Sequence, residues 1–131
     1  MIKNRQAAVL GVLILAFLYL YTVFYEKAQE EESVKEYVEQ AKSDIEWDKA
    51  VRAVMIKGKL YYDTEKESPQ HYHCGLVHGA ITSTVDGSEM PTEDDQSNFG
   101  TDYGYCYIMG GDAVELNMNE KWILFVCQNE E

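Results

Sequence analysis

No acidic residue stands before Glu26 in this chain of 131 residues, and prolines number only two and cysteines three. Each shortage excludes something. Residues 7–25 (AAVLGVLILAFLYLYTVFY) carry no charge at all, and as a helix they would reach roughly 28 Å, the thickness of a bilayer's hydrocarbon. The run ends in Tyr21, Thr22, Val23, Phe24 and Tyr25, with no small-residue cleavage site, which argues against a removed signal peptide. No cysteine follows it closely, so a lipid-modified terminus has no support either. Also missing are a G-x-S-x-G elbow, a phosphate-binding P-loop, an H-E-x-x-H pair and a Gly-rich dinucleotide fingerprint. No reaction is written into the chain by motif.

What is present begins with charge. Lys3 and Arg5 precede the apolar run, and all 23 acidic residues follow it together with nine of the 11 basic ones. The first 25 residues therefore carry +2, and the remainder 9 − 23 = −14. The Lys/Arg asymmetry predicts a single-pass anchor in the cell membrane with a cytoplasmic N-terminus and the rest of the chain outside. So acidic a body repels nucleic acid, suits solubility, and favours cationic partners or metal cations.

The expected organisation is a cytoplasmic tail over 1–6, a transmembrane helix over 7–25, a helical stalk over 26–48 and a β-domain over 49–131. Between 26 and 47 neither Gly nor Pro interrupts the helix, and Val34, Tyr37, Val38, Ala41 and Ile45 form a narrow apolar stripe suited to docking on the domain. The period then shortens to that of strands. Residues 51–56 and 59–63 flank Lys57-Gly58, a hairpin turn signal. Further strands are expected over 76–85, 103–109, 113–118 and 121–127, the last two split by Asn119-Glu120. The fold class is mainly β: about six strands in an antiparallel meander, closed into a small barrel or a two-layer sandwich that buries one face.

Residues 86–102 (DGSEMPTEDDQSNFGTD) form the one long irregular segment, rich in carboxylates and interrupted by Pro91 and Gly100. Loops of this length are usually functional or disordered, and Phe99 would pin this one to the core. Glu93, Asp94, Asp95, Asn98 and Phe99 are the candidate partner-binding residues. Calcium is a second reading, although the D-x-[DN]-x-[DN]-G spacing is absent.

The strings GKLYYDT (58–64), CG (74–75) followed by GAITSTVDGSEMPTEDDQSNFGT (79–101), and NEKWILF (119–125) resemble a family of small, uncharacterised extracytoplasmic proteins and domains of gut-type Gram-positive anaerobes. The resemblance implies an extracytoplasmic β-domain and no catalytic activity. This chain departs from the pattern at His73, where the family often has Arg, and at Cys106, where it often has Gln. Those departures suggest that His73 and Cys106 are not parts of a common site.

Metal is the main rival idea. His71, His73, Cys74 and His78 fall within eight residues, and zinc or copper takes such ligands. In a strand, however, His71 and His73 would face one way and Cys74 the other, and H-x-H-C-x3-H is no standard pattern. Cys106 and Cys127 could bridge on one face, but buried free thiols are expected for all three cysteines. A Cys74–His78 nucleophile pair lacks a third group. Tyr61, Tyr62, Tyr103, Tyr105, Tyr107 and Trp122 suit core pairs better than a ligand platform. The expected function is a non-enzymatic interaction or accessory module without a cofactor, for a protein or cell-envelope partner; the alternative is a metal-binding (Zn/Ca) or hydrolytic envelope protein.

Overall fold

A computed structural model describes residues 2–49, 52–70 and 73–128. Its one long helix, α1, runs Ile2–Asp44. The chain divides into two compact units that meet between Ser33 and Val34. In the first unit every side chain over residues 3–33 is exposed, Leu13, Phe17 and Phe24 included. An 18-residue window there has a mean hydropathy of 2.4, long and apolar enough to cross a membrane, as an anchor or a signal sequence does.

The second unit is built on one sheet. Its strands are β1 (Ala53–Ile56), β2 (Lys59–Glu67), β3 (Gly79–Ala80), β4 (Ser83–Thr84), β5 (Gln96–Ser97), β6 (Gly104–Ile108), β7 (Ala113–Met118) and β8 (Lys121–Cys127). They lie side by side in the order β3-β6-β7-β8-β2-β1-β5-β4, curled into a half-barrel. All neighbours are antiparallel except β4 and β5, which run parallel. The expectation of about six meandering strands closed into a barrel or sandwich is thus corrected to eight strands in a single mixed sheet. Residues 76–85 supply two brief strands instead of one long one. The segment expected to be irregular supplies β5, because Met55 pairs with Gln96 and Val54 with Ser97.

Local chemistry explains the two regular hairpins. Lys57 and Gly58 (φ 47° and 76°) turn β1 into β2, and Asn119 and Glu120 (φ 54° and 66°) turn β7 into β8. Two successive positive-φ residues match the right-handed twist of the strands they join.

Both faces of the sheet are covered, so the alternation along the central strands is apolar on each side. Tyr61, Tyr105, Val114, Leu116 and Phe125 form one buried cluster with Ile81. On the opposite face Ile108, Ala113, Leu124 and Val126 pack against Val34, Val38 and Ala41 of α1. The stripe therefore docks as expected. Tyr37, also in the stripe, stays at the margin and donates its hydroxyl to the Glu67 carbonyl at 3.3 Å.

Candidate functional site

On the helix-covered face α1 reaches only part of the sheet. Strand alternation brings three more side chains to that side: Cys106 of β6, Glu115 of β7 and Trp122 of β8. Cys106 lies directly opposite Glu115 across the ladder, and Glu115 opposite Leu124. Glu115 is 0% exposed. A carboxylate taken so far from water must be hydrogen-bonded, and both of its oxygens are.

The partners come from a strap, residues 68–70 and 73–78, which has few regular backbone pairs. Ser68 donates its backbone N–H to the Trp122 carbonyl at 2.8 Å and its hydroxyl to Glu115 Oε2. His73 Nδ1 stands 2.8 Å from Glu115 Oε1; the carboxylate oxygen accepts, so Nδ1 carries the hydrogen. The imidazole also stacks on Trp122, with ring centroids 4.8 Å apart and planes at 16°. One residue on, Cys74 is disulfide-bonded to Cys106, their Cα atoms 6.3 Å apart. His78 closes the strap: its backbone N–H donates to the Tyr105 carbonyl, its Nδ1 accepts from the Tyr107 N–H at 2.9 Å, and its ring stacks on Tyr107.

Two cysteine expectations are corrected here. Cys74 and Cys106 are not free thiols. Cys106 cannot reach Cys127, because Cys106 belongs to the helix-covered face while Cys127 packs against the opposite cluster, its Sγ 3.4 Å from the Asp112 carbonyl. Cys127 is the free one.

The two described histidines go to different partners. His71 lies outside the described residues. His73 is committed to Glu115 of β7 and His78 to Tyr107 of β6. A buried carboxylate orienting an imidazole supplies two of the three members of a hydrolytic triad. Ser68, however, gives its proton to the carboxylate rather than to the ring, so it is not placed as the nucleophile of such a set.

The acidic loop spends most of its side chains internally. Asp94 Oδ1 accepts the Gly58 N–H at 2.8 Å, capping the first hairpin. Asp95, at φ 57°, accepts the Tyr105 hydroxyl at 2.6 Å; burial and this partner hold the Tyr105 hydroxyl well above its ordinary range. Buried Asn98 accepts the Ala53 N–H at 2.9 Å and donates to the Glu89 carbonyl at 3.0 Å. Phe99 stacks on Phe125 and tilts against Tyr103, with Arg52 over its ring at 4.5 Å. Glu93 and Asp94 are the exposed residues of the five; the Glu93 backbone N–H goes to Gln96. Asp86 accepts from the Ser88 amide and hydroxyl, which keeps its carboxyl below the usual range.

Among the described residues, one group of three potential metal ligands converges: Cys74, His78 and Cys106, whose ligand atoms lie within 4.8 Å of one another. Sequence reasoning missed the central residue of the whole arrangement, Glu115, and expected free thiols where Cys74 and Cys106 are bonded. Compared with protein-family models, with curated proteins and with solved structures, the chain matches none.

Proposed function

We infer that the chain is a membrane-anchored accessory protein whose β-domain stands outside the membrane and binds a protein partner through the tip of the strap. It acts by binding and not by catalysis. The observation that carries this reading is Leu76, 87% exposed between Cys74, stapled to Cys106, and His78, held on Tyr107. A large aliphatic side chain fixed in water forgoes about 1.5–3 kcal/mol of burial, which a partner surface would recover. Val77 beside it is also exposed.

The location rests on two supports. Lys3 and Arg5 before the apolar run favour an inside N-terminus. A disulfide is the product of an oxidising compartment, which the far side of a cytoplasmic membrane provides. The net charge of −14 after Tyr25 favours a basic rim around the partner's apolar contact. Asp94, Asp95, Asn98 and Phe99 serve better as the scaffold of the domain than as its contact surface.

Proximity labelling from a tag on the domain in intact cells tests the reading, with wild type compared with Leu76→Asp. The variant is expected to keep its unfolding midpoint, since the side chain is exposed, and to lose the dominant labelled membrane or envelope protein. A stable Leu76→Asp chain that labels the same protein as wild type would overturn the assignment.

A further inference from the structure

We propose that reduction of Cys74–Cys106 converts the staple into a thiolate–imidazole site for zinc, with His78 as the third ligand. The inference does not depend on the partner reading. It starts from the convergence of two sulfurs and an imidazole nitrogen within 4.8 Å. Two cysteines and one histidine are a set that tetrahedral zinc accepts, with a water in the fourth position. At zinc–sulfur and zinc–nitrogen lengths near 2.3 and 2.0 Å, a tetrahedral site asks for ligand separations of roughly 3.6–3.8 Å. The present spread requires movements on the order of 1 Å, which a strap tip lacking regular secondary structure can supply.

One ligand comes from a strand and two from the strap. Cys106 is buried in β6, Cys74 is half-buried in the strap and His78 is exposed at its end. The exposed side leaves room for the water. His78 Nδ1 now accepts from the Tyr107 N–H, so its lone pair already points at the strand that carries Cys106. Metal binding exchanges that hydrogen bond for a nitrogen–zinc bond and leaves Nε2–H to solvent.

The chemistry balances with a dithiol as reductant. Its two thiols transfer two electrons and two protons: the Cys74–Cys106 bond breaks, two protein thiols form, and the reductant closes into its own disulfide. Zinc then displaces the two thiol protons. In either state strap and sheet remain cross-linked, by sulfur–sulfur bond or by metal.

The test uses the full chain in detergent micelles, reduced with a dithiol that is then removed anaerobically, and titrated with Co2+ as a spectroscopic stand-in and with Zn2+ in competition. The reduced chain should take up one metal with thiolate-to-cobalt charge-transfer bands, and the oxidised chain none. Cys74→Ser should abolish those bands, His78→Ala should weaken binding at least tenfold, and Cys127→Ser should change nothing. Absence of stoichiometric binding by the reduced chain, equal binding by the oxidised chain, or His78→Ala within twofold of wild type would each overturn the proposal. If reduction unfolds the domain, recovery of its near-ultraviolet circular dichroism on adding zinc supports the site, and failure to recover it refutes the site.

Discussion

Replacing His73 with alanine leaves Glu115 buried with one of its two oxygens unpartnered, and the cost can be worked from the geometry. A hydrogen bond to a charged group contributes about 1.5–3 kcal/mol. The stack on Trp122 adds about 0.5–1.5 kcal/mol. His73 is itself 30% exposed, so water can reach the vacated oxygen and the lower halves of both ranges apply. The expected loss is about 2–3 kcal/mol. For a domain near 100 residues that lowers the thermal midpoint on the order of 10–20 °C. Thermal unfolding of the full chain in micelles, followed by near-ultraviolet circular dichroism, reads it directly. His73→Arg is the companion variant: a guanidinium can pair with the carboxylate and lie on the indole. It should stay within about 1 kcal/mol of wild type. A midpoint shift under about 3 °C for His73→Ala, or an equal loss for both variants, would refute the account of Glu115 as the anchor of the strap.

Two further outcomes follow from the core. Burial pushes the Tyr61 hydroxyl up to about 12 from an ordinary value near 10, and it donates to the Gly111 carbonyl at 2.6 Å. The folded state therefore holds this proton longer than the unfolded state; the stability it contributes is intact below about pH 10 and is lost as pH rises through about 12. Tyr61→Phe should cost about 1 kcal/mol at neutral pH and flatten the alkaline decline in unfolding midpoint; an unchanged decline would rule Tyr61 out as its source. Phe99→Ala removes the contacts with Phe125, Tyr103 and Arg52 and should cost about 2–3 kcal/mol. A loss below about 0.5 kcal/mol in denaturant unfolding would mean that the loop is not pinned by this ring.

Much of the frame was legible because it depends on local chemistry. The strands Ala113–Met118 and Lys121–Cys127 and the turns at Lys57-Gly58 and Asn119-Glu120 stand where period and turn residues put them. The buried Val34, Val38 and Ala41 follow from helical spacing. What failed depends on contacts distant in sequence. Strands of two residues such as Gln96–Ser97 have no period to read; they exist because β1 offers a partner. Glu115 sits between Ala113 and Asn117 in an alternation that reads as the wet face of a half-buried strand. Here the strap covers that face, and the neighbours Ala113 and Leu124 are buried with it. The same double burial hid the cysteine pairing. With apolar residues on both sides of β8, alternation sets Cys127 apart from Trp122 but does not tell that Cys106 shares the Trp122 face, which only the cross-strand register decides.

The order of the sheet has a consequence for how copies of this chain behave when crowded. Its two outermost strands, Gly79–Ala80 and Ser83–Thr84, are two residues long each. The two outermost strands therefore offer an incoming strand almost no row of amides and carbonyls to template on, whereas Lys121–Cys127 is flanked on both sides and Lys59–Glu67 is flanked by β1 over its first four residues and by β8 from Tyr61 onward. Molecules confined to a shared surface meet one another far more often than molecules in bulk solution. A sheet that tapers to nothing at both borders lets them collide without fusing edge to edge.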